Sequence, residues 1–267
     1  MISEDVRRFA EDPAAWGEIG PETGLTRILT DRYCLLLGPV PTFTTVSRLR
    51  LDPDTVSETI AEVRGQVAAR GHREAMWWVG PSATPGDLAD RLQTYGLVPD
   101  ERSGSDPHAA TMVLAVEPPP PPDGIVARRV ESFEEFVAAG RIADAAFEAS
   151  EEDAAAYAAI AEESFARERA GHAPRTYIAY ADGEAVGVGR AVFAQDCPAV
   201  LMIGGAVLAH ARGRGAYRAL VHARWRDAAA AGAPALTTQA GAMSRPVLER
   251  LGFQVVAEQE ILLDASA

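Results

Sequence analysis

Apolar and polar positions follow two clear periods along the second half of the chain. Residues 199–208 are an apolar run long enough for a strand buried on both faces, and residues 218–231 are strong helix formers that stop at Gly232. Upstream, residues 125–130 predict a short strand. Ser132 followed by Glu135 has the form of a capping box, after which Phe133, Phe136, Val137, Gly140, Ala143 and Phe147 keep helical spacing. A second helix is expected over 154–170. Residues 176–180 and 185–193 are apolar runs on either side of Asp182 and Gly183, the pattern of a hairpin. Residues 235–239 then predict a strand, and 244–251 a short helix closed by Gly252. The last strands are expected at 253–256 and 260–263.

The first half contains a worn copy of the end of that order. A strand is expected at 47–51, a helix over 54–70 with Asp54 as its cap, a strand at 75–79 and a helix over 87–95. Leu88 and Leu92 followed by Gly96 and Leu97 compare with Val247 and Leu251 followed by Gly252 and Phe253, which suggests two related domains. Prolines fill every position from 118 to 122. Such a run lacks amide protons and favours an extended spacer. The expected division is therefore a first domain at 1–117, a linker at 118–123 and a second domain at 124–267. Trp77 and Trp78 point to opposite faces of one strand, so one is expected in the core and the other is free to meet the second domain.

Composition narrows the function. The chain has 267 residues, 48% hydrophobic and 24% charged, with a formal net charge of −13. Those values suit a globular protein with real cores and exclude the electrostatics of nucleic-acid binding, which needs Lys and Arg to neutralise phosphates. An excess of acid favours a cationic partner such as an amine. Cys34 and Cys197 are far apart and without metal-like spacing. The first ten residues are charged and amphipathic, and no apolar run reaches transmembrane length, so a cytoplasmic protein with no membrane partner and no metal is expected.

The candidate chemistry lies between the apolar run and its helix, at Arg212, Gly213, Arg214, Gly215, Ala216 and Tyr217. A strand that turns through glycines into a helix aims free backbone N–H groups outward at the positive end of the helix dipole. That makes a site for a phosphate, with arginines to add charge. A dinucleotide fingerprint also runs strand, glycine loop, helix. It requires a third glycine and an early place in a βαβ unit, and neither is present here.

On these residues the second half resembles the GCN5-related N-acetyltransferase (GNAT) family. That family's phosphate loop reads Arg or Gln, two residues, Gly, one residue, then Gly or Ala. Arg212, Gly215 and Tyr217 occupy those places, so the last departs from the pattern. The tail Leu248, Glu249, Arg250, Leu251, Gly252, Phe253 is similar to the family's closing motif, commonly Tyr-Glu-Lys-Leu-Gly-Phe. The resemblance spans 124–264 and, faintly, 1–117. It implies an α/β (α+β) fold of two GNAT-like domains, each a mixed, largely antiparallel sheet flanked by helices. The first copy has Asp54 and Glu58, and no glycine, where the second has its loop, so it is expected to hold no such ligand.

The resemblance further implies transfer of an acetyl group from acetyl-CoA, as co-substrate, to an amine, here that of a small molecule. The different-class alternative is a non-catalytic acyl-CoA sensor. Gly213, Arg214, Gly215, Ala216, Tyr217 and Arg218 would cradle the pyrophosphate together with Arg212. Tyr217 would either pack on the pantetheine arm or fill core space. Val207 and Leu208 would pair with pantetheine, the Leu208 N–H facing the thioester carbonyl. The tyrosine that often protonates the thiolate is replaced by Leu248, and an asparagine seven residues earlier by Gly241. Ser244 is the substitute acid or else a helix cap. Glu148, Glu151, Glu152 and Asp153 either line the acceptor pocket, with Glu148 as candidate base, or form a solvated helix junction. His210 is read as a solvated loop residue.

Overall fold

Residues 2–102, 106–193, 196–233 and 235–266 are described by the structure, a computed structural model. The first half runs α1 (Glu4–Glu11), β1 (Thr26–Leu29), β2 (Cys34–Leu37), β3 (Thr44–Ser47), α2 (Val56–Ala68), β4 (Ala75–Val79), α3 (Leu88–Thr94), β5 (Val98–Pro99) and β6 (His108–Leu114). The second runs β7 (Ile125–Arg129), α4 (Phe133–Phe147), α5 (Glu151–Ala159), α6 (Ala161–Ala170), β8 (Arg175–Ala181), β9 (Glu184–Val192), β10 (Val200–Val207), α7 (Ala216–Ala230), β11 (Leu236–Ala240), α8 (Arg245–Arg250) and β12 (Gln254–Asp264).

The halves repeat one topology. In the first, β1, β2 and β3 are antiparallel neighbours and β4 joins β3 in parallel after α2. In the second, β8, β9 and β10 are antiparallel and β11 joins β10 in parallel after α7. All these strands share one mixed, mostly antiparallel sheet in the order β1-β2-β3-β4-β12-β6-β11-β10-β9-β8-β7, with β5 on β12. The centre of that order is an exchange. The last strand of the first half, β6, pairs with β11, and the last strand of the second half, β12, pairs with β4. β6 and β12 also pair with each other, so the sheet runs unbroken across the proline-rich segment.

Burial shows what the exchange contributes. Ala110, Met112 and Leu114 of β6 sit in the core beneath α7 and α8, while Leu262 of β12 sits in the core of the first half. At the join, Thr111 Oγ1 donates to Gln259 Oε1 at 2.9 Å, and Gln259 Nε2 donates to Glu11 O at 3.0 Å. Gln239 Nε2 donates to Ala10 O at 3.0 Å, so two amide side chains satisfy carbonyls left open at the end of α1. The C-terminus is clipped to the first half by Arg64, whose Nε lies 2.9 Å from Oδ2 of the fully buried Asp264.

Several expected elements move. The strand expected at 47–51 is β3, Thr44–Ser47. Asp54 does not cap α2: its N–H donates to Asp52 Oδ1 at 2.9 Å in a preceding turn, and the helix starts at Val56. The helix expected over 154–170 is two, α5 and α6, broken at Ile160. The two closing strands are one, β12, with a register shift between Val255 and Ala257. The proline run packs along α7 instead of standing free: Pro122 lies over Gly215, and Glu117 is 3.8 Å from His222.

At the start of α4 the capping box is half formed. Ser132 Oγ accepts from the Glu135 N–H at 3.2 Å, but the Glu135 carboxylate accepts from the Glu131 N–H at 2.9 Å. That carboxylate also holds Arg128 and accepts from the Tyr180 hydroxyl at 3.1 Å. The Arg128 guanidinium, followed by the Glu131 amide and the Tyr180 hydroxyl, holds its pKa down at about 2. A depressed folded pKa adds stability above the unfolded value, and the gain disappears as pH falls through the folded one. Glu135→Gln is expected to cost about 1 kcal/mol at pH 7, a figure reduced for solvent screening of a partly exposed pair. Urea unfolding should show the gap to the parent chain narrowing as pH falls below the usual carboxylate range.

Candidate functional site

At the end of β10 the chain passes through Leu208 and a single tight turn, Ala209–Ala211, before α7 begins. Gly215 caps α7 at φ +100°, a conformation that side chains rarely adopt. Among the described residues, the backbone N–H groups of 213–218 bond to no protein acceptor. They open on the positive end of a fifteen-residue helix, which is the chemistry of a phosphate cradle. Arg212 is exposed, and its Nε donates to Val207 O at 3.2 Å. Arg214 turns aside to pair with Asp182 in the β8–β9 turn, and His210 Nε2 lies 3.3 Å from Glu184 in the same hairpin. Arg218 keeps its guanidinium close to Gly215.

Next to the loop the sheet opens. β10 and β11 pair only at Val200 with Leu236 and Leu201 with Thr237. Beyond that point β11 follows β6, while β10 bulges between Ile203 and Ala206. The result is a gap between parallel strands with unpaired backbone on its β10 side, as an extended chain requires to lie between them.

The bulge also explains the departure at Tyr217. A Cβ on Gly205 would stand 3.0 Å from the Tyr217 ring, so a bare strand position receives the ring that the helix carries. Burial pushes the Tyr217 pKa upward, and its hydroxyl stays protonated beside Arg224. A Cβ on Gly204, which has φ +57°, would stand 3.2 Å from Arg190 Nη1.

One expected role needs correction. The Leu208 N–H donates to Val186 O at 2.9 Å, across to β9, and so does not face the gap. In an antiparallel ladder successive residues face alternate edges, which turns Val207 the other way. Its carbonyl is the one that accepts from Arg212. The strand amide that faces the gap is therefore that of Val207, one residue earlier.

The gap opens into a cleft of about 2540 Å³ between α4, α5 and α6 on one side and the first half's sheet on the other. Trp77 is in the first half's core, whereas Trp78, with Met76 and Thr45, forms the cleft wall. Glu148 lies on the rim, exposed, at the αL end of α4. Glu151 is exposed in the first turn of α5. Glu152 pairs with Arg73 at 2.5 Å. Asp153 accepts from Ser150 Oγ at 2.7 Å and Thr42 Oγ1 at 2.8 Å, and these two bonds hold its carboxyl below the usual range. Glu152 and Asp153 thus fasten α5 to the first half.

The closing motif contributes little acid. Leu248 is buried. Ser244 begins α8 without capping it: its hydroxyl lines the cleft and donates to Gly241 O at 3.3 Å. At Gly241 a carboxylate arrives from the other half. Asp106 Oδ2 accepts from the Ala242 N–H at 2.6 Å, and a Cβ on Gly241 would stand 2.8 Å from the same oxygen. Sequence reasoning missed Asp106 because nothing local marks a residue supplied across an exchanged sheet. It also missed Arg190, which β9 turns into the cleft wall, and Tyr157, which α5 brings to the same cleft. Burial pulls the Arg190 pKa below its ordinary value.

Comparison with known proteins agrees with this geometry. Residues 138–253 match the model of the Acetyltransferase (GNAT) family. No curated protein matches the chain. A GCN5-related N-acetyltransferase from Kribbella flavida has a similar fold, with a TM-score of 0.71 at 19% identity over 97% of this chain and 95% of its own. A tandem GNAT protein from the clavulanic acid biosynthesis pathway, solved without AcCoA, aligns with a TM-score of 0.56 at 18% identity over 88% and 79%. A GCN5-related N-acetyltransferase from Sphaerobacter thermophilus aligns at 0.59 and 16% over 89% and 81%.

Proposed function

Residues 138–253 form a domain of the GNAT acetyltransferase family, and from that premise we propose that the protein moves an acetyl group from acetyl-CoA to the primary amine of a small molecule in the cytoplasm. The observation that carries this reading is the alignment of two features: unbonded amides at 213–218 and the gap between β10 and β11 that leads from them to the cleft. Together they suit a ligand with a diphosphate at one end and an extended arm beyond it.

Bound acetyl-CoA supplies a thioester whose acyl carbon the amine attacks, the C–N bond forming as C–S breaks and the nitrogen's proton passing to the thiolate. The chain's own residues bind and orient. Arg212, Arg218 and the amides of Gly213, Arg214, Gly215, Ala216 and Tyr217 hold the diphosphate, and the Val207 N–H is the donor toward the thioester carbonyl. Glu148 on the rim draws the amine in and takes up its first proton, and the Ser244 hydroxyl, which lines the same cleft, relays the second to the thiolate. The first domain, 1–117, is a degenerate copy. It holds no acyl donor and supplies the wall opposite α5.

The test is calorimetric titration with acetyl-CoA, followed by a screen for amine-dependent thiol release. Binding in the micromolar range is expected, weakened about tenfold by Arg212→Ala through loss of one charge-assisted contact. Absence of binding to the parent chain would sink the reading. The second reading, an acyl-CoA sensor, is favoured by the apolar Leu248 at the place of the usual acid. It predicts tight binding with no thiol release from any amine.

A further inference from the structure

Arg190 is a charged side chain in the cleft wall that forms no ion pair among the described residues. It leaves β9 beside the β10 bulge, where Gly204 has no side chain to cover it. Three groups from the covering helices face it: Tyr157 on α5, Glu168 on α6 and Asp144 on α4. None is close enough to form an ion pair among the described residues. Glu168 is committed elsewhere, since one oxygen accepts from the Thr176 N–H at 2.8 Å and the other from the Thr176 hydroxyl at 2.7 Å. A half-buried guanidinium whose nearest carboxylates stand too far off to pair with it is incompletely compensated, and a ligand carboxylate in the cleft would supply the closer charge. Its planar fork matches a carboxylate better than any neutral acceptor does.

Its position assigns the partner. The diphosphate cradle at 213–218 lies beyond the far end of β10, past Val207, so Arg190 stands on the acceptor side of the gap. Resting on the acyl-transfer reading above, we propose that Arg190 receives a carboxylate of the acceptor, so that the acceptor is an amino acid or a close amino-carboxylate. The acids on the same cleft, Asp144 and Glu148, face the cationic end of such a molecule. Asp144 also repels a second carboxylate, which favours a zwitterion over a dianion.

The experiment compares amine pairs that differ only by the carboxylate: L-lysine with cadaverine, L-ornithine with putrescine, L-phenylalanine with phenethylamine. Acetyl-CoA-dependent thiol release should prefer the amino acid by roughly 100-fold in kcat/KM for at least one pair, as expected of a site built to pair with a charge. Arg190→Gln should collapse that ratio toward one, and Arg190→Lys should recover part of it. The acetyl-CoA affinity of each variant reports whether it has folded.

An unchanged ratio in Arg190→Gln, or no preference in the parent chain, overturns the proposal. So does a loss confined to succinyl-CoA against acetyl-CoA, which would place the carboxylate on the donor. If no amine releases thiol, acyl transfer itself fails. Titration of the same pairs into the acetyl-CoA-loaded protein then decides: heat from an amino acid alone, lost in Arg190→Gln, supports the anchor, and no heat from any of them overturns it.

Discussion

Residues 118–267 produced without the first half are expected not to fold into a stable monomer. β6 belongs to the first half, yet it lies between β11 and β12, and Ala110, Met112 and Leu114 fill the core under α7 and α8. Removing it uncovers two strand edges and the floor of that core. Losing the burial of Met112, Val113 and Leu114 costs about 2 kcal/mol each, which together approaches the whole stability of an ordinary domain. The exchange is mutual, because β12 pairs with β4 from Glu260 to Asp264 and Asp264 is clipped by Arg64. Circular dichroism and thermal melting of 118–267 alone should show no cooperative transition, and exposed edges should drive association. Co-expression with 1–117 should restore both solubility and the transition. A monomeric 118–267 that melts within a few degrees of the intact chain would refute the prediction.

Gly215→Glu is expected to weaken acetyl-CoA binding by at least about 1000-fold, some 4 kcal/mol. Three effects add in one direction. The residue sits at φ +100°, where an L side chain is strained; its Cβ would stand 2.4 Å from Pro122 Cγ; and its carboxylate would enter the space where the amides await an anion. The first two effects act on the loop and the linker, the third on the ligand alone. Gly215→Ala keeps the strain and the contact with Pro122 but adds no charge, so it should lose much less affinity while lowering the melting temperature to a similar degree. Equal affinities for the two variants would mean that the loop does not hold the diphosphate.

Much of the second half was legible along the chain because its signals are local. Asp182 with Gly183 marks the β8–β9 turn, the helix formers after Tyr217 mark α7, and Gly252 closes α8, with the Phe253 N–H returning to Leu248 O at 3.1 Å. The first half was less legible. α1 is a short helix of mostly charged residues with only Val6, Phe9 and Ala10 buried, and β1 and β2 are four residues each, too short for a period to emerge.

The site divides in the same way. The anion cradle follows from a strand, two glycines and a helix in succession, and residue types alone determine it. The donor amide does not: whether Leu208 or Val207 faces the gap depends on the ladder with β9, and a one-residue shift turns every group to the other edge. Tyr217 departs from the small residue of the family's loop, and only the packed strand shows the compensation at Gly205.

The sequence by itself determined the local elements, the glycine loop before α7 and the presence of two related halves, since those depend on neighbours a few residues apart. Tertiary structure alone decided that the halves exchange strands, that Asp106 reaches Gly241, that Asp153 is fastened by Thr42, and that Arg190 faces the cleft with no ion-pair partner among the described residues. Each of these joins residues distant in the chain, and their proximity is set by which strands pair and which faces pack, a choice made by the whole sheet and not by any one segment of it.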